Sequence, residues 1–165
     1  MPCACKHAAI NVPENVEWGP VFWALLHGLA ERAGSAPMDG LKPDEIRAWV
    51  GILDILHKTL PCDICRGHLK TYIMNNPVDV PDDHSALNLY VRQWLYLLHE
   101  DINIRLGKPL FIFEELSAEY GKVPLRNQFE VLQVLIKRAV QGSAVPLLAW
   151  SSWTKHVKFL LGIYN

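Results

Sequence analysis

Leu60-Pro61-Cys62-Asp63-Ile64-Cys65-Arg66-Gly67-His68-Leu69 stands between two apolar-periodic runs and decides how the chain is read. Pro61 carries no backbone donor and breaks or restarts a helix. One helix therefore ends before Leu60, and the next starts at Cys62 and runs through Leu69 and Ile73 to Asn75-Asn76-Pro77. That places both cysteines in a first turn, where the positive end of the helix dipole stabilises a thiolate. Two cysteines three apart at such a start are close enough to bond to one another, so the pair can cycle between dithiol and disulfide.

Outward from this point the pattern is helical. Towards the N-terminus, Ile46, Trp49, Val50, Leu53 and Leu56 share one face of a segment opened by Pro43-Asp44-Glu45. Before it, Phe22, Leu25, Leu26 and Leu29 recur between Trp18 and Ala33, and Gly34-Ser35-Ala36-Pro37 stops the pattern. Towards the C-terminus, Val78 to His84 reads as a loop, and Ser85 is placed to cap a long helix from about Ala86 to Leu106, ended by Gly107-Lys108-Pro109. A looser stretch covers Leu110 to Gly121. Two more periodic segments, Leu125 to Gln141 and Leu147 to Leu161, flank Gly142-Ser143-Ala144-Val145-Pro146. With no β-alternation, repeat or low-complexity tract, the class is all-α.

Composition bounds the function. The chain has 165 residues, half of them apolar, which suffices for a core of its own. Sixteen basic against seventeen acidic side chains leave a formal charge of -1, so no nucleic-acid partner is expected. The N-terminus has no apolar signal region, and Ala144 to Tyr164 is interrupted by Lys155, His156 and Lys158, so neither secretion nor a membrane span is expected. The expected compartment is the reducing cytoplasm, where paired cysteines mean metal binding or redox turnover more often than a structural staple.

The pairs are Cys3/Cys5 and Cys62/Cys65. Three readings of the second pair stay open at this level. One is redox chemistry; a second is a zinc site completed by His57 or His68, with Cys3, Cys5 and His7 as further ligands; the third is an incidental thiol pair in a helical interaction module. A dithiol passes two electrons to oxygen only through a cofactor such as a flavin, and no GxGxxG follows a strand, so any flavin sits between helices. Trp23 and His27, four apart, and His99 and Asn103, also four apart, each share a helix face that could cradle one. Taken singly, each has an ordinary reading as a core or surface residue.

Three blocks together, Trp18-Gly19-Pro20-x-x-Trp23-x-x-x-His27, Leu60-Pro61-Cys62-x-x-Cys65-x-x-His68 and Trp94-x-x-x-x-His99-x-x-x-Asn103-x-x-Leu106-Gly107-Lys108-Pro109, resemble the Erv/ALR sulfhydryl oxidases. The resemblance spans about Glu17 to Tyr120. It implies a four- or five-helix bundle holding FAD beside the CxxC, with oxygen as acceptor, protein dithiols or a thioredoxin-like carrier as substrate, and a homodimer. By position it implies that Gly19, Trp23, His27, His68, Trp94, His99, Asn103, Leu106, Lys108 and Tyr120 bind the cofactor. Cys65 would face the flavin and Cys62 would exchange with the incoming dithiol, while Cys3 and Cys5 would form a tail shuttle, against the plainer reading of incidental tail thiols or an intermolecular bridge. No resident metal is implied. Several compact members of the family are encoded by large DNA viruses and act in host cytoplasm, and this chain is of that size. The implied layout is a tail over 1–14, an oxidase bundle over 15–120 and a helical extension over 121–165, packed on the bundle or at a subunit contact.

Departures from the family pattern are also visible. The family usually carries a Cys-x16-Cys disulfide after its long helix; here Tyr96 and Phe113 occupy those positions, and an aromatic contact is expected to replace the covalent clamp. Glu100 stands where the family commonly has Asn, and Leu60 where it has an aromatic.

Overall fold

A computed structural model describes residues 11–164. Among them are seven α-helices and no strand: α1 Asn15–Glu31, α2 Lys42–Ile55, α3 Asp63–Asn75, α4 Leu87–Leu106, α5 Leu116–Tyr120, α6 Leu125–Gln141 and α7 Leu147–Ile163. Residues 39–41, 56–58, 84–86 and 113–115 form single 3₁₀ turns.

The helix ends follow local chemistry. α1 starts at Asn15, one turn before the apolar pattern becomes visible, because the Glu17 carboxylate accepts the Glu14 backbone N–H at 2.7 Å. Cys62 is the N-cap of α3, its Sγ accepting the Cys65 N–H at 3.1 Å. Ser85 does not cap the long helix. Asp83 accepts the Ser85 N–H at 2.9 Å and caps the 3₁₀ turn that leads into α4, a carboxylate two residues earlier being the stronger acceptor. α4 ends where Gly107 takes φ +62° and Lys108 donates its N–H back to Asn103 O at 2.9 Å, a left-handed cap that favours glycine.

One apolar core joins the helices, and Leu25, Trp49, Ile52, Leu95, Ile136 and Trp153 are fully enclosed in it. α6 lies against α1 and α7 against α2. The first contact is close because Gly28 has no side chain: a Cβ there would meet Leu125 Cδ2 at 2.8 Å. Phe22 of α1 stacks on Trp153 of α7 at 5.3 Å. The α2 stripe is shifted from the expected one, since Ile46 and Val50 are half-buried while Glu45, Ala48 and Ile52 are buried. α7 packs on that shifted face. Residues 11–14 are held too, with Pro13 buried and Arg138 of α6 donating to Asn11 O at 3.0 Å.

Candidate active site

α3 presents Cys62 and Cys65 joined as a disulfide, Cα to Cα 5.1 Å. Helix geometry explains the closeness, because the N-cap and the third helical residue face the same side. Both sulfurs are half-buried against the core rim. Asn15, at the first turn of α1, directs its amide at them, 3.6 Å from Cys65 Sγ and 3.9 Å from Cys62 Sγ. A neutral amide donor and a helix N-terminus at one disulfide both favour the thiolate that its cleavage releases. Asn15 carries no motif of its own; only its place at the start of α1 could have pointed to it.

A second cluster joins three helices. Trp23 and His99 are parallel, centroids 3.9 Å apart, and His27 Nε2 lies 3.1 Å from His99 Nδ1 across 72 residues of sequence. Tyr120 stacks on the other histidine, His27, at 4.6 Å, and Phe111 leans on His99 at 5.4 Å. Sequence reasoning paired Trp23 with His27 and His99 with Asn103 separately. The fold merges Trp23, His27, His99 and Tyr120 into one stack, and Phe111 was missed. Burial lowers His27 to about 3, with the nearby His99 and Arg92 adding to the effect. Burial, then the Lys108 charge, lowers His99 to about 4. Both imidazoles are therefore neutral at pH 7, and one donates to the other.

Between α3 and α4 runs a cleft of about 500 Å³ lined by His68, Tyr72, Asn75, Leu97, Asp101 and Arg105. His68 and Tyr72 stand one and two turns after Cys65 on the same helix side. Burial, then Asp101 and Tyr90, pushes the Tyr72 phenol up to about 12, so it stays a donor. Trp94 is buried edge-on to Tyr72 at 5.6 Å, and its indole N–H has no acceptor among the described residues; nor has that of Trp18.

The remaining sequence candidates are placed as follows. Gly19 has open space where a Cβ would stand. Asn103 is buried, and its carbonyl takes the Gly107 and Lys108 N–H groups. Leu106 and Lys108 are exposed, Lys108 reaching the stack only through its charge on His99. Cys3 and Cys5 lie outside the described residues. The zinc reading finds no support: the two thiols bond each other, His57 and His68 line different clefts, and no group of three or more His, Cys, Asp or Glu among the described residues could hold a metal ion.

Tyr96 and Phe113 meet as the sequence suggested, edge to face at 5.3 Å. Glu100 accepts the Phe111 N–H at 3.0 Å, so that departure holds the loop carrying Phe111.

Comparison with known proteins gives consistent results. A family model described as Erv1 / Alr family matches residues 20–121. An FAD-linked sulfhydryl oxidase of African swine fever virus (isolate Pig/Kenya/KEN-50/1950) is 29% identical over 137 residues, covering 83% of this chain and 98% of the viral protein. The FAD-linked sulfhydryl oxidase ERV1 of Oryza sativa subsp. japonica is 29% identical over 107 residues, covering 65% of this chain and 50% of the plant protein. The crystal structure of the yeast Erv1 core superposes with a TM-score of 0.48 at 22% identity, covering 73% of this chain and 94% of that one.

Proposed function

Because this chain belongs to the Erv1/Alr family, we propose that it is an FAD-linked sulfhydryl oxidase in which the Cys62–Cys65 disulfide takes electrons from substrate dithiols. The observation that carries the reading is this disulfide at the N-terminus of α3, facing the amide of Asn15, in a chain matched over residues 20–121.

The residues present fit the cofactor. A flavin dinucleotide offers two flat rings and a polar edge rich in acceptors. The stack of Trp23, His27, His99 and Tyr120 offers π faces, the buried Trp94 N–H is a donor without an acceptor among the described residues, and the space beside Gly19 is open. Trp23, His27, His99 and Tyr120 would hold ring surface, with His68, Asn103 and Lys108 giving polar contacts and Leu106 an apolar edge. When bound, FAD supplies the two-electron acceptor that restores the Cys62–Cys65 disulfide and delivers the pair to oxygen as hydrogen peroxide.

The chain's own chemistry is thiol–disulfide exchange. A substrate thiolate attacks Cys62 Sγ, a substrate–Cys62 disulfide forms, and the Cys62–Cys65 bond breaks with its electron pair leaving on Cys65. The second substrate thiolate then attacks the substrate sulfur and releases Cys62. The substrate has lost two electrons and gained a disulfide, and the Cys62/Cys65 pair holds the two electrons. Asn15 stabilises the leaving thiolate on Cys65, which speeds cleavage because a better-stabilised thiolate leaves faster.

Cys3 and Cys5 are assigned to relay electrons from protein substrates to this pair. The support is positional: the described chain begins at Asn11, four residues before Asn15, whose amide stands 3.6 Å from Cys65 Sγ. A homodimer built on α1, where Val16 and Pro20 are exposed, completes the proposal.

The test is oxygen consumption by the flavin-loaded protein with dithiothreitol. Cys65→Ser is expected to abolish it while the flavin absorbance is retained; full activity in that variant would refute the assignment. Deleting residues 1–7 is expected to slow a protein dithiol and spare dithiothreitol.

A further inference from the structure

On the side of α3 away from the α4 cleft lies a second cleft, of about 270 Å³, lined by His57, Lys58, Arg66, Gly67, Lys70 and Pro146. Its composition is one-sided, for no carboxylate is among the described residues that line it. Its walls are fixed by Arg66, whose guanidinium donates to Leu60 O at 2.7 Å, to Ala144 O and to Asp63. Arg66 thereby ties α3 to the turn before α7, and its charge is partly met by Asp63. Lys58 and Lys70 are exposed and form no ion pair among the described residues. The two lysines act on the same ring: burial first, then Lys58 and more weakly Lys70, lowers the His57 pKa, against the opposing influence of Asp54. The cleft thus offers two free ammonium groups around a largely neutral imidazole.

Its position gives this charge a purpose. Cys62, Arg66 and Lys70 recur every four residues, so they share one side of α3, and Lys70 follows Cys62 by about 12 Å along the helix axis. Gly67 leaves the floor open, with nothing near where its Cβ would be. An extended peptide whose cysteine engages Cys62 would cover that distance in about four residues. Nothing in the cofactor assignment uses this side of the helix.

We infer that the cleft of His57, Lys58, Arg66, Gly67 and Lys70 is the substrate-docking site of the oxidase, and that it selects dithiol segments with acidic residues about four positions from the reacting cysteine. The inference rests on the proposed exchange at Cys62. Exposed lysines act mainly on association and on salt dependence, and they do so without touching the sulfur chemistry.

The test uses the full flavin-loaded chain and three dithiols: dithiothreitol, a Cys-Gly-Gly-Cys peptide flanked by aspartates, and the same peptide flanked by lysines. At low salt the aspartate peptide is expected to show about 10-fold higher kcat/KM than the lysine peptide, mostly through KM, and the gap is expected to close at high salt. Lys58→Glu with Lys70→Glu is expected to reverse the preference, and Lys58→Gln with Lys70→Gln to erase it, with dithiothreitol oxidation unchanged in both. Normal dithiothreitol oxidation with no peptide preference, or a preference unaltered in both double variants, overturns the docking site alone. No oxidation of any dithiol by the wild-type chain overturns the oxidase reading and this inference with it.

Discussion

Tyr96 and Phe113 meet edge to face with ring centroids 5.3 Å apart, at the two positions where the sequence resemblance implies a clamping cysteine pair. The contact is reinforced on both sides: Tyr96 Oη donates to Phe111 O at 3.0 Å, and the Arg92 guanidinium stands 5.1 Å from the Phe113 ring centre. An aromatic pair contributes about 1 kcal/mol beyond its buried area, whereas a disulfide closing a loop of this size contributes about 3 kcal/mol. A double-mutant cycle of Tyr96→Ala and Phe113→Ala in urea is expected to give a coupling of about 1 kcal/mol. A coupling below about 0.3 kcal/mol would mean that the rings are mere neighbours.

That contact was legible in the sequence because two aromatics replaced a recognisable pair at fixed spacing. Six of the seven described helices, the CxxC at a helix start and Trp23, His27 and His99 were legible for the same reason: each rests on local periodicity or a quoted motif, whereas the short α5, Leu116–Tyr120, lies in a stretch without clear periodicity. What escaped depends on long-range placement. Ser85 looked like a cap until Asp83 took the role, and Glu45 stood in the sequence only as part of the Pro43-Asp44-Glu45 helix opening. In the fold Glu45 is fully buried, because its partner Tyr164 arrives from 119 residues away. The direct His27–His99 bond and the approach of Asn15 to Cys65 are of the same kind. No spacing rule joins residues 72 or 50 positions apart.

The histidine pair makes stability depend on pH in a stated direction. His27 and His99 fall to about 3 and about 4 from an ordinary 6.5, so the folded chain holds them neutral where the unfolded chain is protonated. Their contribution is complete above about pH 6.5 and is lost as pH falls towards 4, at up to about 1.4 kcal/mol per pH unit for each. His99→Phe keeps a ring in the stack and removes one titrating group. Urea unfolding at several pH values between 7 and 4.5 should show a shallower loss for this variant than for wild type; parallel curves would contradict the assignment.

Glu45 and Tyr164 bind the last helix to the first half of the chain. The buried Glu45 carboxylate accepts the Gly34 N–H at 2.7 Å, the Ala36 N–H at 3.2 Å and the Tyr164 hydroxyl at 2.5 Å, and it meets His84 Nε2 at 2.6 Å. Tyr164 Oη in turn accepts the Trp49 indole N–H at 2.9 Å, and burial together with Glu45 keeps the phenol protonated far beyond its ordinary range. Tyr164→Phe leaves the ring volume in place but strips one donor from a buried carboxylate and the acceptor from a buried indole. A hydrogen bond to a charged group contributes about 1.5–3 kcal/mol, and the indole left unpaired adds to the loss. Urea denaturation is therefore expected to show a loss of about 2–4 kcal/mol with an unchanged m value. Dithiothreitol oxidation at 25 °C should persist, because neither residue touches the disulfide or the ring stack. A loss under about 0.5 kcal/mol would show that water replaces the phenol at no cost, and that α7 is held by its apolar face alone.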